Sequence, residues 1–371
     1  MSFNFVTLYL SLVSISQAYE IDQFTNRAIT ADDCTDLFDA RVEQAMTSAI
    51  TRANKLLIDN KLSCCPSGKD RAACLGQRSQ EDTQLSEHST VSNWWYNNRH
   101  TVADQTNQLA PIYPALNSAL VFGNQYDLNS ESTRTVFEDY ASSGVDQRCR
   151  VPAPSTTKSI HKGSSWLTNI VQLEPEVIVN GKRIGVDKLG HFFAQGFLIT
   201  KDRRLHDTDS TEAIYKNSQE DGLYGCGSTG LYSYGDMSAN VAGSRFWNDV
   251  FYGENGSGEN TYIACTDTGN GTFRYARTER PFTFKEYVTD AWDEGINCTL
   301  TCKQGGAPNY GLVPDKNFQS TCPLEQDKCL ALGKAVHDGK LRDLEVSRVC
   351  RTLYSTSSAA PSTPSSKTKS R

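Results

Sequence analysis

Twelve cysteines stand in this chain of 371 residues, all beyond position 33, and no two have the Cys-x-x-Cys spacing. An even set without that spacing argues against zinc ribbons and thioredoxin-like chemistry, and for disulfides formed in an oxidising compartment. The density is well below the ~8–10% of scaffolds held up by bridges alone. The bridges therefore supplement a core rather than replace one. Cys64 and Cys65 are adjacent and are expected to reach separate partners. Cys298 with Cys302, and Cys322 with Cys329, either face one another across helical turns or staple neighbouring elements.

The amino terminus agrees with export. "MSFNFVTLYLSLVSISQAYE" has an apolar run from Phe5 to Val13, then the small-x-small pattern Ser16-Gln17-Ala18 of a signal-peptidase site. No Lys or Arg precedes the run. It is too short and too interrupted by Ser for a membrane span, which takes ~20 apolar residues. Residues 1–18 are expected to be a cleaved signal peptide. No later stretch is long enough to span, so the expected mature product is a soluble secreted or periplasmic protein without a transmembrane span. The formal net charge is -6, and the tail 354–371 carries Lys367, Lys369 and Arg371 with no acid, so the body is more acidic than the whole. An acidic body excludes nucleic acid as a partner.

Periodicity predicts a mainly α domain over 19–353, an α+β fold with minor β, stapled by disulfides and carrying one or two small β-hairpins. Residues 34–62 give the clearest helix, with Phe38, Val42, Ala45, Ala49, Ala53 and Leu56 on one face. A cysteine-pinned loop follows, with 75–92 read as mobile, and Trp94-Trp95 read as a core anchor. Val177-Ile178-Val179, Asn180-Gly181 and Lys182-Arg183-Ile184 form a hairpin signal, because Asn-Gly supplies the positive φ angles of a tight turn. Helices are expected from Asp187 to Lys201, from Asp209 to Glu220, and from about Ser228 through Phe251. Short strands are expected at "TYIAC" and "TFRYA". A capping box at Thr283 and Glu286 predicts a helix through Glu294, stopped by Gly295. Two more helices near 323–335 and 338–353 precede a disordered tail, 354–371.

The polar residues of interest lie in "GVDKLGHFF" and in the helix after "GCGSTG". Residues four apart share a helix face, so Asp187 pairs with His191, and Asp236 with Asn240. Small residues on both helices, among them Gly196 and Gly243, permit close approach, so the four side chains are expected to converge. Each has a bland alternative. Asp187 suits a helix cap, and a lone His191 is more often a satisfied core histidine. Asp236, placed two turns into its helix by the expected start, needs a partner when buried, with His191 or Lys188 available. Asp202 and His206 repeat the acid-x3-His spacing in a charged run that reads as a solvated helix end. Asp290, Asp293 and Glu294 either lend an acid to the cluster or line the wet side of their helix. Asn255, Asn270 and Asn297 begin Asn-x-Ser/Thr sequons, the acceptors of glycans in eukaryotic secreted proteins.

Asp187-Lys188-x-x-His191-Phe192 followed by Asp236-x-x-x-Asn240-x-x-Gly243 resembles the signature of VanZ-like proteins and of related small envelope proteins such as the YfiM-like lipoproteins, over residues 187–243. VanZ-like proteins are usually polytopic membrane proteins, whereas this sequence lacks spans after its leader. The resemblance implies a cell-envelope setting and an envelope or lipid-linked substrate. Two functions are carried forward. One is a hydrolase or transferase with Asp187, His191, Asp236 and Asn240 as catalytic residues, where His191 is general base or metal ligand. A divalent metal is the candidate cofactor, with Asp187, His191 and Asp236 as candidate ligands, and Mg²⁺ or Mn²⁺ favoured over Zn²⁺. The other is a non-catalytic secreted or surface protein, structural or binding, whose polar cluster only fixes helix packing.

Overall fold

The computed structural model of the chain describes residues 22–59, 63–64, 112–122, 135–154, 173–206, 211–214, 231–253, 258–269, 271–302, 308–312 and 322–358. The leader, residues 75–92, the Trp94-Trp95 pair, Cys65, and the sequons at Asn255 and Asn270 lie outside them. Among the described residues helix dominates, accompanied by three small antiparallel sheets.

Helix α1, Thr35–Asp59, buries Phe38, Val42, Ala45, Met46, Ala49, Ala53 and Leu57, one stripe at three- and four-residue spacing. Leu57 rather than Leu56 completes the stripe. The Asp33 carboxylate opens the helix by accepting from the Thr35 amide and hydroxyl, and it also accepts from the Gly181 amide. That one carboxylate pins α1 to the first hairpin. Helices α2, Ile112–Asn117, and α3, Val136–Asp139, each run on into a π turn, Ser118–Phe122 and Tyr140–Gly144. Strand β1, Arg150–Val151, adds to the edge of the hairpin made by β2, Glu176–Val179, and β3, Lys182–Gly185. The hairpin turn is the expected one, with Asn180 and Gly181 at φ 55° and 64°.

Helix α4 spans residues 187–206 and is not regular. It is α over Asp187–Gly190, π over His191–Gln195, and α again over Gly196–His206. A short helical stretch is described at 211–214, inside the helix expected from Asp209. Strand β4, Leu231–Tyr232, precedes helix α5, Tyr234–Phe251. The third helix thus starts later than expected, because Leu231 and Tyr232 pair with Thr301 and Leu300 and Ser233 caps the helix. Strands β5, Ile263–Asp267, and β6, Phe273–Arg277, form the second expected hairpin.

The helix expected from Thr283 to Glu294 is absent. Thr283, Thr289 and Asp293 each cap a separate short turn: Phe284–Glu286, Asp290–Trp292, and helix α6, Glu294–Asn297. Gly295 lies inside α6 instead of ending a helix. Strands β7, Leu300–Cys302, and β8, Pro308–Leu312, complete the third sheet with β4, and the β content stays minor beside the helices. Helix α7, Gln326–His337, packs on α8, Arg348–Ser358. The α8 helix carries order past residue 353 into the expected tail. Hydroxyls of Ser355, Thr356 and Ser358 bond back to carbonyls one turn earlier, which keeps a polar helix end satisfied.

Four disulfides join described residues: Cys34–Cys149, Cys64–Cys265, Cys298–Cys322 and Cys329–Cys350. Cys322 and Cys329 therefore staple separate elements and do not face one another. No described helix is long and apolar enough to cross a membrane. Bridges of this number belong to a protein that folds in an oxidising, extracytoplasmic compartment.

Candidate active site

Helices α4 and α5 touch backbone to backbone. A Cβ on Gly243 would stand 2.0 Å from the Phe192 carbonyl oxygen, so only glycine allows the approach. Thr200 donates to the Ser244 carbonyl at 3.1 Å, and the Trp247 indole N–H donates to the Phe193 carbonyl at 2.8 Å. The apolar neighbours quoted in the sequence are the walls. Phe192 and Phe193 lie in an aromatic cluster with Phe137, Phe246, Phe284, Tyr287 and Trp292.

Against these walls, the four expected residues meet. His191 Nδ1 lies 3.0 Å from Asn240 Oδ1, and His191 Nε2 lies 3.4 Å from Asp236 Oδ2. One ligand-type atom each from Asp187, His191 and Asp236 falls within 4.8 Å of the others. Asp187 and His191 share a face because the α turn holds up to His191, whose amide donates to the Asp187 carbonyl before the π segment begins.

Lys188 is the centre of the cluster. Its ammonium is fully buried and contacts three carboxylates: Asp187 at 2.8 Å, Glu294 at 2.5 Å, and Asp236. Gly235 leaves room for it, since a Cβ there would stand 2.9 Å from Lys188 Cε. Glu294 also accepts from the Ser233 hydroxyl at 2.7 Å. It is buried, and so is Asp293, which holds Arg27 through both oxygens. Asp290 pairs with Lys182. The wet-side alternative fails for Asp293 and Glu294 because the chain is recapped at Thr289 and Asp293, which rotates Glu294 inward, whereas Asp290 stays partly exposed. Three cap-type residues, Thr283, Thr289 and Asp293, were the available signal in the sequence.

The electrostatics follow from burial and the shared ammonium. Burial pushes the Asp187 carboxyl up to about 6, opposed by Lys188 and reinforced by Asp236 and Glu294. Burial acts on Asp236 in the same sense, but His191 and Lys188 outweigh it and hold that carboxyl below its usual value. Lys188 loses solvation too, yet its three acids raise it well above an ordinary lysine.

Several expectations are revised here. Asp187 caps nothing, and its side chain serves Lys188 instead. Asp236 is the third residue of α5, not two turns in, and its amide donates to Ser233 Oγ. Gln195, one turn beyond His191, keeps a buried Oε1 without a hydrogen-bond partner. Asp202 is buried, not part of a solvated helix end. Asn297 is fully buried, with its amide donating to the Ala291 and Glu345 carbonyls and accepting from Ser347, so it is no glycan acceptor in the folded chain.

No protein-family model, curated protein or solved structure matches the chain, so its chemistry has to be argued from these side chains.

Proposed function

We propose that this is an exported hydrolase or transferase, acting on an envelope or lipid-linked substrate, with its reacting centre at Asp187, His191, Asp236 and Asn240. The observation that carries the reading is the standing of His191. Its side chain keeps 16% of its exposure, whereas Lys188, Asp187, Asp236 and Glu294 lie at 9% or less behind it. A ring held by Asn240 at Nδ1 and still partly exposed is positioned to take a proton from a nucleophile at Nε2, or to hold there an ion that activates one. The substrate class rests on the resemblance of residues 187–243 to VanZ-like envelope proteins.

A second reading is favoured by Lys188. An ammonium with no exposure, bound to acids from α4, α5 and α6, ties three elements together and has the form of a structural network. His191→Ala and Asp187→Asn separate the two. In a reacting centre they abolish turnover of ester, phosphodiester or lipid-linked glycan substrates while the melting temperature stays within about 2 °C of the parent. Loss of several degrees, with no turnover by the parent chain on any of those substrates, would leave the structural network as the function of the cluster.

A further inference from the structure

We infer that this centre binds one divalent cation, through a carboxylate oxygen of Asp187, Nε2 of His191 and a carboxylate oxygen of Asp236. The inference rests on the reading of the cluster as a site and names what that site holds.

The donor atoms are already divided between two cations. Asp187 gives Oδ2 to Lys188, and its Oδ1 is left buried without a hydrogen-bond partner. Asp236 turns Oδ1 to Lys188 and Oδ2 to His191. Each acid therefore keeps one oxygen for the ammonium and one for something else. The 4.8 Å spread of the three donor atoms is close to what an ion requires, because bonds of ~2.0–2.2 Å put neighbouring ligand atoms about 3–4 Å apart.

The imidazole is oriented as a ligand. Nδ1 faces Asn240 Oδ1, which can only accept, so the ring proton of a neutral His191 sits on Nδ1. The Nε2 lone pair then faces a carboxylate oxygen 3.4 Å away. Two electron-rich atoms so placed need a cation between them. Ligating histidines are held in this way, with the second ring nitrogen donating to an oxygen.

The charge count points to a divalent ion. Asp187, Asp236 and Glu294 bring three negative charges, and Lys188 returns one positive, all of them buried. A divalent ion neutralises the group, and buried charge without compensation is costly. One nitrogen with carboxylate oxygens suits Mn²⁺ or Mg²⁺ better than Zn²⁺.

The test uses the full chain with its disulfides intact, stripped with chelator and titrated with Mn²⁺ by calorimetry and electron paramagnetic resonance. One equivalent is expected per chain. His191→Ala and Asp187→Asn should each weaken binding by at least ~10-fold, and Asn240→Ala by a comparable factor through the ring it orients. Asn240→Asp, which keeps the acceptor, should restore it. Absence of stoichiometric Mn²⁺, or affinity unchanged in both His191→Ala and Asp187→Asn, overturns the inference. Turnover that persists after chelation also overturns it while leaving the reacting centre standing. Mn²⁺ bound as described, in a chain that turns over nothing, supports the inference and removes the proposed enzyme.

Discussion

Glu176, the first residue of β2, carries a charge problem of its own. It is buried, its two carboxylate oxygens have no hydrogen-bond partner, and Arg183 Nε lies 3.3 Å from Oε2. Burial pushes its carboxyl up to about 8, with Arg183 and Arg27 opposing and Asp293 and Asp22 reinforcing. The folded chain therefore keeps a proton that the unfolded chain releases near pH 4.3. Stability from this group is full below that value and is lost as pH rises to about 8, at up to ~1.4 kcal/mol per pH unit. Glu176→Gln should match the parent in urea denaturation at pH 4 and exceed it by a few kcal/mol at pH 8.5. Parallel curves for the two chains would show that Arg183 keeps Glu176 ionised. At this scale the sequence was informative where one helical turn sufficed: Asp187 with His191, and Asp236 with Asn240. It left Glu294 open between the cluster and the wet side, because its inward direction is set by the new caps at Thr289 and Asp293 and not by any period.

Elements were legible where local chemistry alone decides them. The α1 stripe and the Asn180-Gly181 turn needed no tertiary information. The start of α5 did, because Leu231 and Tyr232 read as an apolar helix turn until β7 pairs with them. The π segment of α4 was also hidden, since its residues fit an α pattern equally well. Its position follows from packing: it lies where the Phe192 carbonyl meets Gly243 and where Trp247 takes the Phe193 carbonyl. Irregular turns of this kind recur at functional sites, and this one begins at His191 itself. Gly243→Ala should force the helices apart at that point, costing about 1–3 kcal/mol of stability. The His191–Asn240 contact should loosen with it, read as a shift of the ring resonances. Denaturation like the parent's would mean that the two backbones do not touch there.

On the scale of the whole molecule, the back wall of the site is assembled from both ends of the described chain. The Gln23 side chain donates to the Arg183 carbonyl and accepts from the Glu294 amide, and Arg27 grips Asp293 and Glu325. On the other side, Cys298–Cys322 holds the turn that carries Glu294, with the Leu324 amide donating to the Gly295 carbonyl. None of this pairing was legible, because twelve cysteines permit many connectivities and spacing selects none of them. The bridges divide their work by position. Cys34–Cys149 closes 115 residues and should contribute about 4–5 kcal/mol by loop entropy, whereas Cys298–Cys322 closes 24 and should contribute about 3. The shorter bridge nevertheless stands next to Glu294, and through it next to Lys188 and Asp236. Replacing each pair with alanine should thus give opposite orders in two measurements. Cys34→Ala with Cys149→Ala should lower the urea midpoint more, and Cys298→Ala with Cys322→Ala should displace the His191 ring resonances more. The same order in both would mean that the site is positioned by the common core of α1, α4 and α5, with the bridge beside Glu294 contributing only cohesion.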